Sequence, residues 1–237
     1  MAERGVKTIE RQKTGCKGLD KLLGGGLPKG SITMINGKPG VGKTILSLQW
    51  LFQGIKEGEN GVYFSVTEPL YNVLKQLETL TFYDKDAVED EKLKLVDIRE
   101  LFPERADPRK LQDAIEKAVK ESNAKRIVID SITPLLYSLK DKTEIRKMIM
   151  SLARGKIVSN LGCTTVMTTE HSELETPSLA GVEEFVADGI INLSSTPGEQ
   201  KTVRHLLINK MRCIDFNSGI TTYDLTKDGL VVYPKKR

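Results

Sequence analysis

At 237 residues the chain is long enough to bury one large α/β core, and 39% apolar with 29% charged residues describe a folded polypeptide with a charged surface. A net charge of +4 is too mild to imply nucleic acid without a local cluster, and Lys235-Lys236-Arg237, the one basic run, reads as a solvated tail. Cys16, Cys163 and Cys213 stand far apart and only two histidines occur, so no disulfide framework or metal-ligand spacing emerges and a reducing cytoplasm is the expected location.

Along the chain, apolar strand-like runs alternate with amphipathic helical ones. Residues 14–23 read as a short helix, closed by Gly24-Gly25-Gly26 and Pro28. Ser31-Ile32-Thr33-Met34-Ile35-Asn36 reads as a buried strand, followed by a glycine-rich turn and a helix over 44–57. A second strong strand, 61–66, precedes a helix over about 70–82 and a weaker strand at 93–97. Asp107-Pro108 supplies a cap and first-turn proline for a helix with Leu111, Ile115 and Val119 on one face. Strand 126–130, a helix over roughly 143–160 and strand 164–169 continue the alternation. From Gly189 the pattern changes to strands 190–193, 203–210, 220–225 and 230–233, with turns at Pro197-Gly198 and Lys227-Asp228-Gly229. No apolar run approaches the roughly 20 residues that span a membrane, and no signal-peptide stretch opens the chain. Residues 1–237 are expected to form one α/β domain, helices flanking a mainly parallel sheet with a C-terminal β region.

The most specific motif is Gly37-Lys38-Pro39-Gly40-Val41-Gly42-Lys43-Thr44, which matches the phosphate-binding pattern G-x-x-x-x-G-K-[ST] between a strand and a helix. Its glycines let successive N–H groups face one point, where a phosphate sits against the helix N-terminus. In that arrangement Lys43 reaches the β- and γ-phosphates of ATP and the Thr44 hydroxyl is a ligand for Mg2+. Arg126-Ile127-Val128-Ile129-Asp130-Ser131 ends an apolar strand in an acid, as needed to hold that metal through coordinated water. Hydrolysis also needs a group that orients the attacking water. Glu68 follows the strand ending at Val66 and is a candidate base, although Thr67-Glu68-Pro69 equally suits the acidic start of a helix. Thr168, Thr169 and Ser131 read as γ-phosphate sensors or as ordinary strand-end hydroxyls.

Beyond these residues, Thr14-Gly15 with Leu19-Asp20, Leu23-Gly24-Gly25-Gly26-Leu27-Pro28, the phosphate loop and 61–68 resemble the KaiC family of RecA-superfamily ATPases. So do Thr164-Thr165-Val166-Met167-Thr168-Thr169-Glu170 and Gly181-Val182-Glu183-Glu184-Phe185-Val186-Ala187-Asp188, and the likeness runs from Thr14 to Pro234. The resemblance implies a RecA-like core and homo-oligomeric, usually hexameric rings with ATP bound between neighbours. It makes Glu68 the second of a paired glutamate whose member acts as base; Thr67 stands in place of the first, so slow hydrolysis is expected. Lys210-Met211-Arg212 matches a K-x-R element whose cations reach the γ-phosphate held by the next subunit, as an arginine finger does. Strand alternation puts Lys210 and Arg212 on one side.

Two other branches of the superfamily fit less well. DNA-threading recombinases need basic or aromatic pore loops, whereas 170–184 carries five glutamates and no Lys or Arg, and Lys140, Asp141, Lys142 and Glu144 cancel. Nucleic acid is therefore disfavoured, except through a surface patch that sequence does not reveal. At the positions where autokinase members phosphorylate Ser and Thr, this chain has Glu184 and Phe185, so it resembles the N-terminal ATPase half of double-domain members. The expected function is a slow, oligomer-dependent MgATPase that switches assembly or binding of a protein partner. The alternatives are a non-catalytic ATP-binding scaffold like the archaellum accessory proteins, and a DNA-repair recombinase paralogue.

Overall fold

The computed structural model describes residues 9–99, 108–134, 143, 147, 150, 162–170 and 186–234. Most of the helix expected over 143–160, most of both pore-loop candidates, Glu184, Phe185 and the basic tail lie outside them.

Nine strands of one sheet stand in the order β11-β10-β9-β8-β3-β7-β6-β4-β5. Its parallel part comprises β3 (Ile32–Asn36), β4 (Gly61–Ser65), β5 (Leu93–Asp97), β6 (Arg126–Asp130), β7 (Thr164–Thr169) and β8 (Gly189–Thr196). Strands β3, β4, β6 and β7 are buried along their whole length, which is why they read as near-continuous apolar runs. Antiparallel strands β9 (Val203–Met211), β10 (Thr221–Thr226) and β11 (Gly229–Tyr233) extend the sheet beyond β8. This is a RecA-like α/β fold with a C-terminal antiparallel region.

Helix α2 (Lys43–Lys56) packs on one face with Leu48, Trp50, Leu51 and Phe52 fully enclosed. Helix α3 (Leu70–Leu77) joins it there through Val73 and Leu77. The opposite face receives α5 (Pro108–Ser122), which buries Ile115, Ala118 and Val119 against Val62, Ile127 and Ile129. Each sheet face thus has its own apolar cluster, as helices flanking both sides require.

Two local expectations give way to tertiary contacts. The helix expected over 14–23 shrinks to α1 (Leu19–Leu22), because Asp20 Oδ1 accepts from both Thr14 N and Thr14 Oγ1, at 2.8 and 2.7 Å, and holds the segment in a loop. Gly18 there has φ 89°, and a Cβ would lie 2.2 Å from the Val232 carbonyl oxygen, so the chain passes against β11 where only glycine fits. A two-stranded ribbon, β1 (Arg11–Gln12) with β2 (Leu27–Pro28), closes the segment. Similarly, the helix expected over 70–82 stops at Leu77. Thr81 is captured by the turn between β10 and β11, with its N–H on the Lys227 carbonyl at 2.8 Å and its hydroxyl on Asp228 at 2.7 Å. Helix α4 (Lys85–Glu89), capped by the Asp84 carboxylate, then starts afresh.

Candidate active site at the carboxyl ends of the parallel strands

Strand β3 runs straight into the glycine-rich loop, and α2 begins at Lys43. Gly42 caps it with φ 99°, and a Cβ there would lie 2.5 Å from Leu225 Cδ2 on β10. The loop's final glycine therefore answers two demands, a left-handed backbone and close contact with the C-terminal hairpin. Lys43 curls back over the loop and donates to the carbonyls of Gly37 and Lys38 at 2.8 and 3.1 Å. Burial pulls its pKa below the ordinary lysine value, while the nearby carboxylates of Asp130 and Glu170 oppose that shift. A triphosphate oxygen would offer this ammonium the charge that its partly desolvated setting lacks.

Asp130 ends β6, two strands from β3, and is buried. Its Oδ2 accepts from Thr44 Oγ1 at 2.6 Å and from the Tyr63 hydroxyl at 2.8 Å, while Oδ1 accepts from Thr168 Oγ1. Burial first, then Asp130 itself, pushes the Tyr63 phenol well above the usual tyrosine range, so it stays a donor. Thr44 and Asp130 converge as hard oxygen groups at the helix N-terminus, a donor set suited to Mg2+ carrying substrate phosphates. The adjacent Ser131 hydroxyl is buried without a hydrogen-bond partner among the described residues.

Glu68 lies in the turn after β4, its carbonyl accepting from Ser65 Oγ. Pro69 is the cap of α3, so Glu68 precedes the helix rather than occupying its first turn. Its carboxylate is near enough for its charge to act on Tyr63, whose hydroxyl binds Asp130. Thr67 is exposed beside it.

Lys210 and Arg212 do not join this group. Strand β9 ends at Met211, opposite Gly189, and Gly189 pairs with Thr33, four residues before Gly37. At about 3.3 Å per strand residue, that end of the sheet is roughly 13 Å from the phosphate loop. The Lys210 ammonium donates to the Ala187 carbonyl at 2.7 Å, and Arg212, in the turn beyond the strand, pairs with Asp188 at 3.3 Å. Their shared target is this corner, not a common strand face, because the alternation stops at Met211.

Several supporting residues escaped the sequence reading. Asn36 accepts from Thr169 Oγ1 at 2.7 Å and donates to Asn192 Oδ1 at 3.0 Å, linking the loop's entry to strands on both sides. Thr133 Oγ1 accepts from Glu170 N at 2.8 Å, and the Tyr223 hydroxyl donates to the Val41 carbonyl at 2.7 Å. Tyr63 sits on a strand buried on both faces, so its register gave no signal of its own. The others depend on strand order, which local pattern does not encode.

Comparison with known proteins agrees with this architecture. The family described as KaiC ATPase matches residues 12–237. A UPF0273 protein of Thermotoga maritima is 33% identical over 96% of this chain and 98% of its own length. The circadian clock protein KaiC3 of Synechocystis is also 33% identical, over 99% of this chain but 48% of that protein. The crystal structure of a KaiC-like protein from Pyrococcus horikoshii superposes with a TM-score of 0.82 at 30% identity, covering 96% of this chain and 100% of that one. The chain belongs to the KaiC family of ATPases.

Proposed function

We propose that this protein binds MgATP at the 37–44 loop, hydrolyses it slowly, and uses the nucleotide state to switch its own assembly or the binding of a protein partner. The observation that carries the reading is the 2.6 Å bond between Thr44 Oγ1 and Asp130 Oδ2, which brings two oxygen groups from distant sequence together at the N-terminus of α2. Loop amides and Lys43 would hold the β- and γ-phosphates, the Lys43 ammonium giving up its two carbonyls for them. Thr44 and Asp130 would hold Mg2+, which when bound neutralises charge on the phosphate oxygens. Glu68 would orient the attacking water and accept its proton. With Thr67 beside it instead of a second carboxylate, low turnover is expected.

In one protomer Lys210 and Arg212 lie at the far end of the strands, so any contact with a γ-phosphate would be made in a neighbouring copy. There they would offset charge on the transferred phosphoryl group, once Arg212 exchanged Asp188 for phosphate. That arrangement requires a closed, head-to-tail assembly, such as a hexameric ring.

Mass in solution with and without MgATP, together with phosphate release with and without single-stranded DNA, tests this function. A nucleotide-dependent assembly with slow, DNA-independent turnover is the expected result. Tight ATP binding without turnover would establish the scaffold alternative, and DNA-stimulated turnover the recombinase one. A solitary protomer hydrolysing at full speed would remove the trans cations from the account.

A further inference from the structure

Asp130 is clamped from both flanking strands. Strand β4 supplies the Tyr63 hydroxyl to Oδ2 at 2.8 Å, and β7 supplies the Thr168 hydroxyl to Oδ1. A carboxylate on a single-bond rotor turns freely unless both oxygens are held, and here each has a buried donor from a different strand. Tyr63 is 1% exposed and Thr168 is fully enclosed, so neither hydroxyl exchanges easily with water. The Oδ2 held by Tyr63 also accepts a hydrogen bond from Thr44 Oγ1, at 2.6 Å. A hydroxyl that donates to Asp130 has its lone pairs turned away from the carboxylate and available to another partner.

We propose that Tyr63 is a positioning residue for the divalent cation. Its phenol fixes the rotation of the Asp130 carboxylate, and through Asp130 it fixes the Thr44 hydroxyl with its lone pairs toward the metal. Tyr63 touches neither nucleotide nor cation; it sets how tightly the nucleotide-loaded site holds Mg2+. This deepens the MgATP reading above and rests on it. Phenylalanine at 63 keeps the ring in the core and removes only the donor, leaving Oδ1 with Thr168 and Oδ2 with Thr44 alone, so the carboxylate loses one of its two buried anchors and is held less tightly. Outer-shell partners of this kind typically contribute about 10- to 100-fold to metal affinity.

The test uses mant-ADP fluorescence at 25 °C, titrated with MgCl2 and compared with EDTA, for wild type, Tyr63→Phe and Thr168→Val. Release of free Mn2+ signal in electron paramagnetic resonance provides a second readout of metal affinity. Tyr63→Phe should raise the half-saturating Mg2+ concentration about 10-fold or more, while mant-ADP affinity in EDTA stays within about two-fold of wild type. Thr168→Val should shift Mg2+ in the same direction, and serves as the test if the phenylalanine variant does not fold. A variant that melts earlier but needs no more Mg2+ than wild type would make the phenol a core hydrogen bond only and overturn the proposal. A wild type whose mant-ADP affinity is the same in Mg2+ and EDTA would instead overturn the magnesium reading beneath it.

Discussion

The Tyr223 hydroxyl donates to the Val41 carbonyl across 2.7 Å, so a strand near the C-terminus holds the phosphate loop from behind. Leu225 from the same strand covers Gly42, and Leu230 N–H binds Gln49 Oε1 on α2 at 3.0 Å. Because Tyr223 is 1% exposed, Tyr223→Phe strands the Val41 carbonyl in a dry setting. The cost should be about 1–3 kcal/mol of stability, the usual penalty for orphaning a buried polar group. Urea unfolding should register it, and mant-ADP affinity should fall alongside. Unchanged affinity would mean that the hairpin packs on the loop without shaping it.

Glu68→Gln keeps the size of the side chain and removes its basicity. Phosphate release should drop by about 100-fold or more, the contribution expected of a general base, with ATP affinity nearly unchanged. Turnover that survives this substitution would return Glu68 to being a turn residue ahead of α3.

Trans action of the cations can be examined by mixing two inactive variants. Lys43→Ala lacks a working loop but keeps both cations, and Lys210→Ala/Arg212→Ala has the converse defect. Random head-to-tail mixing places a good loop against good cations at about a quarter of interfaces. The mixture should therefore recover about that share of wild-type phosphate release. No recovery, with mixed assemblies demonstrated by mass, would confine the cations to the corner at Asp188.

Arg126 is a stability node unrelated to the chemistry. Its side chain is wholly buried, lies 5.3 Å from the Trp50 ring centre, and pairs with Glu57 and Glu59, each at 2.7 Å. It also donates to the carbonyls of Lys13 and Trp50 at 2.9 and 2.8 Å. Arg126→Met leaves those acceptors without their donor, which for a buried pair costs about 3–5 kcal/mol. For a chain of this size the melting temperature should fall by roughly 6–20 °C in calorimetry.

Alkaline pH should weaken the fold through two thiols. Burial raises Cys16 to about 12 and Cys163 to about 11, from 9.0 in the unfolded chain. Above pH 9 the unfolded state loses thiol protons that the folded state keeps, so stability present below pH 9 is lost as pH rises. Each thiol contributes a slope of up to about 1.4 kcal/mol per pH unit. Urea midpoints between pH 8 and 10.5 should fall, and Cys16→Ala/Cys163→Ala should flatten the decline.

Much of the fold was legible because local chemistry and tertiary role coincide. Strands β3, β4, β6 and β7 read as apolar runs because burial on both faces demands apolar side chains at every position. The phosphate loop was legible because its glycines and Lys43-Thr44 act within eight consecutive residues. The helix expected over 14–23 failed where Asp20 and the Gly18–Val232 approach overrode local propensity, and that over 70–82 failed where Thr81 is held by a turn nearly 150 residues later.

By itself, then, the sequence determined the alternating α/β architecture and the anion cradle, since both follow from short-range periodicity and from the φ angles that glycine permits. Only the tertiary structure decided which side chains meet at the site. Asp130 is clamped by Tyr63 and Thr168 because β6 lies between β4 and β7, and Val41 is held by Tyr223 because the C-terminal hairpin folds back beside α2. Strand order comes from packing across the whole sheet, and no stretch of neighbouring residues carries it.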